Sequence, residues 1–468
     1  MSARYHERVE HIEQLLLIQN QLIDTTSLRC ACLYGIPDQL RPLCWRLFLH
    51  LLPKERHLWA STLQQQRNQY DALVQSLLAV SKNNYASVDM EQATVVDDHP
   101  LAGACDSIDS RIVHSEWINF FKDNEVLMQI DKDVKRLRPE IDFFQRRTAY
   151  PKRQSSYTNL ANRIQSEKLS ADIHEMNFSN KNFIENLTVN GEQENEKGET
   201  ISEGEELHWQ VVERILFIYA KLNPGVKYVQ GMNEIVGPIY HVFAADSDPE
   251  WAEWAEADTF YCFQNLMSEI KDNFIRTLDS SDCGIESVLS RFYERFQRLD
   301  APLYKHLAED LGIRPQFYAF RWISLLLSQE FSLPDVIALW DTVFCSTNRL
   351  ESVQFLCLAM LEHIRDELLT GDFSHNVRLL QNYPEVDVSK LVIYSVELME
   401  ANNTNPISSS QQSLSTIAQN GNSDSTNHTA ATLDRITVPA MNWSLKAKSS
   451  LSHLVRKTRE QVNKYTSN

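Results

Sequence analysis

Glycine and proline are scarce in this chain, at 12 and 15 in 468 residues. That scarcity argues against sandwiches and barrels, which need a turn signal every ten residues or so. Helix is therefore the default over long stretches. Long apolar runs are missing as well. None approaches the roughly 18 residues a membrane-crossing helix requires, and Met1 to Glu10 is polar rather than a charged stub before a hydrophobic segment. We expect neither a membrane-spanning nor a secreted protein. An excess of positive charge is lacking too: the formal net charge is -18, which repels phosphate backbones, and the central part of the chain has no concentrated basic face. Nucleic acid is not an expected partner. The eight cysteines have no repeated spacing, and several sit inside apolar helical runs, as buried reduced thiols do. That usage favours a cytoplasmic protein.

Several catalytic signatures are also absent. A P-loop needs Gly-Lys-Ser/Thr to cradle phosphates, and the sequence contains no Gly-Lys dipeptide. No Gly-x-Ser-x-Gly elbow occurs. The two histidines of His6-Glu7-Arg8-Val9-Glu10-His11 are five apart, which at about 100° per residue puts them on different faces of a helix. No metal site is expected.

What the chain does have is 43% hydrophobic content, enough for a large core. Apolar residues recur at helical spacing over Ile12 to Ile23, where Asp24-Thr25-Thr26-Ser27 stops the pattern, and again over Leu40 to Leu52. His208 to Leu222 is strongly amphipathic and ends at Asn223-Pro224-Gly225. Further helices are predicted at Asp258 to Phe274, Gly284 to Leu299, Pro302 to Leu311, Pro315 to Gln329, Leu333 to Phe344, Phe355 to Leu369 and Val386 to Met399. Between Tyr150 and Glu206 the composition turns polar. Glu185 to Glu206 carries eight acids against the single Lys197, so a disordered inserted loop is expected at about 151–206. From Asn402 the chain is rich in Ser, Asn, Gln and Thr, and the folded part should end near Glu400. The expected organisation is a helical extension at 1–33, a helical domain at 34–400 and a flexible tail at 401–468. The end of the tail, Asn442 to Asn468, is basic, with Leu451, Leu454, Val455 and Val462 interleaved. A solvated tail is the plainer reading. A short basic amphipathic helix touching anionic lipid, or the acidic loop, is the other.

Four motifs stand out. In Gly35-Ile36-Pro37-Asp38-Gln39-Leu40-Arg41-Pro42-Leu43-Cys44-Trp45, Arg41 and Trp45 are four apart on one helical flank, and a packed guanidinium–indole pair is the expected role. In Ile130-Asp131-Lys132-Asp133-Val134-Lys135-Arg136, Asp133 and Arg136 have the spacing of an ordinary surface ion pair, with Ile130 as apolar anchor. Tyr228-Val229-Gln230-Gly231-Met232-Asn233 follows a helix breaker and precedes an apolar run. It could hold a carboxamide rigidly in a cleft, or simply bury Gln230 against backbone. Phe331 to Phe344 is mostly core, with Trp340-Asp341 near its end.

In this order and at these separations the motifs resemble those of the TBC domain, the all-helical module of Rab GTPase-activating proteins. Arg41-x-x-x-Trp45 is similar to that family's first motif, Ile130-x-x-Asp133-x-x-Arg136 to its second and Tyr228-x-Gln230 to its third. The similarity runs from about Tyr34 to Glu400, outside the polar insertion. Phrases such as Phe121-Lys122-Asp123-Asn124-Glu125-Val126-Leu127 and Leu326-Leu327-Ser328-Gln329-Glu330-Phe331 narrow it to one branch of the family. The resemblance implies an all-α fold in two helical subdomains. It also implies an arginine finger at Arg136 and a glutamine finger at Gln230, supplied in trans to a GTP-bound Rab GTPase that brings its own GTP and Mg2+; the chain then needs no cofactor. Asp133, Tyr228 and Asn233 would position the fingers or contact the partner, while Arg41, Trp45, Ile130 and Gly231 would be scaffold. One departure is Leu137-Arg138-Pro139 after the finger, where many relatives have Thr directly after the Arg. It makes Arg138 a rival, although the spacing favours Arg136. The other function class is a catalytically silent Rab-binding scaffold, which the intact Arg136 and Gln230 argue against.

Overall fold

The computed structural model describes residues 3–17, 22–79, 108–152, 160, 164, 205–274 and 284–404. Among them there is no strand, only two isolated bridges, Leu22 with Glu55 and Arg147 with Leu207. The fold is all-α, as expected. In chain order the principal helices are α1 (Ala3–Leu17), α2 (Thr25–Cys32), α3 (Arg41–Phe48), α4 (Trp59–Ala79), α5 (Ile108–Lys135), α6 (His208–Leu222) and α7 (Met232–Ala244). They are followed by α8 (Ala255–Ile270), α9 (Ile285–Leu299), α10 (Ala319–Ser324), α11 (Leu333–Cys345), α12 (Arg349–His363), α13 (Phe373–Gln381) and α14 (Val388–Thr404). Shorter helical segments connect several of them.

Local chemistry sets many of the ends. Asp24 accepts from the backbone N–H groups of Thr26 (2.9 Å) and Ser27 (3.2 Å), so the polar run that closes one helical pattern also caps the start of α2. Asn348 caps α12 in the same way through Glu351 N–H, and Pro42 and Pro334 occupy the first turns of α3 and α11. Helix α4 carries its buried residues at Trp59, Leu63, Tyr70, Val74 and Leu78, a narrow stripe diluted by glutamines, and sequence periodicity missed it. The single helix expected over Pro315 to Gln329 is broken. A 3-10 turn at Pro315–Phe317 precedes α10, and Leu326 and Leu327 then take left-handed φ values of 52° and 64°. Carbonyls in and just after the break are taken by tertiary donors instead: Trp340 Nε1 donates to Leu326 O at 2.8 Å, and Arg138 donates to Ser328 O and, at 2.9 Å, to Phe331 O.

Residues 1–405 form one compact unit. Helices α4 to α8 pack among themselves, α9 to α12 and α14 form a second group, and α3 and α11 meet α7 at the join. The buried side chains make one continuous cluster from Val9 to Val392. The 1–33 segment belongs to it: Val9, Ile12 and Leu16 are buried, and Arg29 Nη1 donates to the carbonyls of Phe344 (3.1 Å), Cys345 (2.8 Å) and Ser346 (2.8 Å) at the end of α11. Buried ion pairs tie α3, α4, α6 and α8. Arg46 and Arg67 both bind Asp258 at 2.9 Å, and Arg214 grips Glu256 through two bonds of 2.7 and 2.8 Å.

Some residues of the insertion expected at about 151–206 are among those described. Leu160 and Ile164 are helical and buried, Lys152 pairs with Asp71, and Glu205 and Glu206 pair with Arg147 and Arg214. The rest of the acidic run, and the tail from 405 with its basic end, lie outside the described residues. Among the described residues no helix is long and apolar enough to cross a membrane.

Candidate functional site

The second motif forms the C-terminal end of α5 and the turn after it. Ile130, Asp133 and Val134 point inward and are buried, whereas Arg136, just past the last helical residue, keeps 65% of its side chain exposed. The next residue returns to the core: Leu137 is buried against α7, where Gly237 leaves the room, since a Cβ there would lie 3.0 Å from Leu137 Cδ2. Gln145 Nε2 donates to Lys135 O at 3.1 Å and occupies one of the carbonyls that end α5.

The third motif lies on the turn between α6 and α7. Tyr228 is buried, Gln230 is exposed, and Gly231 begins α7 with φ +102°. The glycine is required there twice over. The left-handed backbone disfavours any side chain, and a Cβ would sit 2.7 Å from Leu325 Cδ2.

Asp133 joins the two turns. One carboxylate oxygen accepts from Arg136 Nη2 at 2.5 Å and the other from the Tyr228 hydroxyl at 2.7 Å. Asn233 Nδ2 reaches Asp133 O at 3.4 Å and Glu234 Oε1 at 3.1 Å. Burial, and then the hydrogen bond to the Asp133 carboxylate, pushes the Tyr228 phenol far above its ordinary value, so it stays a donor. The ion pair that spacing predicted between Asp133 and Arg136 is present. It tethers an exposed guanidinium without burying it.

Arg138 behaves differently from Arg136. It is 6% exposed and donates to Phe331 O at 2.9 Å and to Ser328 O. Of the two arginines, only Arg136 has an exposed head group.

Arg41 and Trp45 were expected to pair with each other, but what joins them is Asp341. Arg41 Nε lies 3.0 and 3.1 Å from the two carboxylate oxygens, Trp45 Nε1 donates to Oδ1 at 2.8 Å, and the Ile36 N–H donates to Oδ2 at 2.8 Å. A guanidinium with five donors needs acceptors when it is pressed into a core, and a buried carboxylate supplies them. Burial pushes the Asp341 carboxyl up to about 7, against the opposing pull of Arg41 and the two N–H donors. In the sequence Asp341 falls in a helix that is mostly core, and its signal is a charge among the apolar residues of the last turns. Leu325 and Glu234 had no signal in the sequence, because their importance comes from what folds against them.

Comparison with known proteins agrees with the family resemblance. The Rab-GTPase-TBC domain profile matches residues 150–369, a stretch containing Tyr228, Gln230 and Asp341. Human TBC1 domain family member 13 is 44% identical over 412 residues, covering 86% of this chain and all of that protein; it is a TBC-domain protein from the kind of branch the phrases above indicated. The GTPase-activating protein gyp1 of Schizosaccharomyces pombe is 31% identical over 201 residues, 38% of this chain and 37% of that one. Among solved structures, the Ypt/Rab-GAP domain of Gyp1p matches with a TM-score of 0.57 and 21% identity, over 84% of this chain and 98% of that one, and shares the fold. On the near full-length identity to TBC1 domain family member 13, together with the domain match, this chain belongs to the TBC family of Rab-GTPase domains.

Proposed function

We propose that the chain is a GTPase-activating protein that speeds GTP hydrolysis by a GTP-bound Rab-family small GTPase, with Arg136 and Gln230 supplied in trans. The observation that carries this reading is that the two side chains lie almost a hundred positions apart and yet sit exposed on turns bonded to each other through Asp133 and Tyr228.

The chemistry follows from charge. Attack of water on the γ-phosphate builds negative charge on the transferring group and on the β,γ-bridging oxygen, and a guanidinium offers a fixed fork of donors to both. An arginine finger supplied in trans is worth about 10³ to 10⁵ in rate. A held carboxamide orients the attacking water. GTP and Mg2+ come with the partner, so the chain is an activator rather than an enzyme acting alone. In this reading residues 34–400 are the Rab-GAP domain and the protein works in the cytoplasm, ending Rab signalling in membrane trafficking. The basic end of the tail is its candidate contact with anionic membrane.

The test is single-turnover GTP hydrolysis across a panel of Rab proteins. We expect acceleration of at least one of them, and a loss of roughly 10²-fold or more with Arg136→Ala and with Gln230→Ala. Acceleration of none would leave the alternative, a catalytically silent Rab-binding scaffold.

A further inference from the structure

Resting on that function, we propose that Arg138 is a positioning residue, one that fixes the Arg136 and Gln230 turns relative to each other by binding both to the 325–331 segment. Its guanidinium is the meeting point of three parts of the chain. Nη1 donates to Phe331 O at 2.9 Å and Nη2 to Ser328 O, while Nε lies 3.4 Å from Glu234 Oε2 in the first turn of α7. A weaker contact of 3.4 Å reaches Glu140 within its own turn.

Each partner leads to a finger. Arg138 is two residues from Arg136 and holds a left-handed φ of 49°, a conformation that persists in a non-glycine residue only where the surroundings dictate it. Glu234 follows the Gln230 turn directly, and its other oxygen receives Asn233 Nδ2 at 3.1 Å. Burial raises the Glu234 carboxyl above its ordinary value, and Arg138 opposes that rise by favouring the charged form. The segment that takes the two carbonyl bonds is the one whose Leu325 side chain packs against Gly231, beside Gln230. Leu326 and Leu327 are both left-handed, which turns the Ser328 and Phe331 carbonyls toward the guanidinium instead of along a helix.

The fork geometry is what the site uses. A lysine could pair with Glu234 but could not span both carbonyls and the carboxylate at once. The departure from the usual residues after the finger thus places a second arginine in the core as the anchor of the first.

The test uses the full chain with a Rab protein that it stimulates. Stimulated kcat and the KM for the GTP-bound Rab are measured for Arg138→Leu, Arg138→Lys and Glu234→Gln, alongside thermal melting. Complex formation is measured with GDP plus aluminium fluoride, which mimics the transition state, and with a non-hydrolysable GTP analogue. Displacing a reacting group by about 1 Å costs on the order of 10²-fold in rate, so Arg138→Leu should lower kcat by that order. KM should change less than about threefold. Arg138→Lys should recover part of the loss, and the aluminium fluoride complex should weaken far more than the GTP-analogue complex. If Arg138→Leu fails to fold, Arg138→Lys and Glu234→Gln carry the same comparison. A folded variant with unchanged kcat, or a loss confined to KM, overturns the anchor role. Full activity of Arg136→Ala would instead overturn the finger reading beneath it.

Discussion

At the scale of single residues, the candidate site sets one exposed side chain against buried ones that hold it. Arg136 is held by one contact, to Asp133, on an otherwise open surface. The guanidinium end of this pair is exposed, while Asp133 is buried and keeps its bond from Tyr228, so in the proposed function the tether would exchange for a phosphate with Asp133 still held. Tyr228 has the opposite character. Its hydroxyl is buried and bonded to a carboxylate, and a hydrogen bond to a charged group is worth about 1.5–3 kcal/mol. Tyr228→Phe should therefore lower stability by about that amount in denaturant titration, and it should lower GTP-hydrolysis stimulation with it. Arg136→Ala should lower the melting temperature less than Tyr228→Phe does, because Asp133 keeps its Tyr228 bond, while removing the stimulation. A melting temperature that fell with Arg136→Ala and held with Tyr228→Phe would contradict this division.

Among the elements, two junctions position the site. The first is the start of α7, where Gly231 must be left-handed and must leave room for Leu325. Gly231→Ala combines a backbone penalty of about 1–3 kcal/mol with a side-chain clash, and we expect both reduced stability and reduced stimulation. The second is the join of α3 to α11 through Asp341, which accepts from Arg41, Trp45 and the Ile36 backbone. Asp341→Ala leaves the half-buried Arg41 Nε and the buried Trp45 indole N–H without their acceptor, Arg41 keeping only Asp38 and the Ile36 carbonyl. Removing one partner of a buried pair costs about 3–5 kcal/mol, to be read as a shift in the urea midpoint. An unaltered midpoint would show that the motif is not scaffold.

For the whole molecule, stability should depend on pH through buried groups of opposite tendency. Glu213 is fully buried beside Asp131, and burial first, then that neighbour, pushes its carboxyl up to about 8. Because the folded state holds this proton more tightly than the unfolded chain does, its stabilising contribution is complete below the unfolded value of 4.5 and is lost as pH rises through 8. His208 and His241 run the other way. Burial lowers both to about 4, so their contribution is present above 6.5 and is lost as pH falls through 4. Glu213→Gln should remove part of the alkaline loss. Its melting temperature relative to the parent should rise between about pH 5 and pH 9, and a constant difference across that range would show that Glu213 does not carry it.

What the sequence determined by itself was the helical class, and it named the residues of the candidate site. Scarce glycine and proline, and apolar stripes such as that of α6, are local properties, and the order and spacing of Arg41, Trp45, Asp133, Arg136, Tyr228 and Gln230 are visible along the chain. What only the tertiary structure decided was which charged groups go inside. Spacing favours Arg136 over Arg138 but says nothing of which guanidinium is buried; the carbonyls of Ser328 and Phe331, almost two hundred positions away, take Arg138 inward and leave Arg136 at the surface. Likewise Arg41 and Trp45 meet a carboxylate three hundred positions on, and where the run Pro315 to Gln329 breaks from helix Trp340 and Arg138 bind its Leu326 and Ser328 carbonyls. The physical reason is common to all three cases: a buried donor or acceptor must find a partner, and the chain supplies it from wherever the fold brings one close.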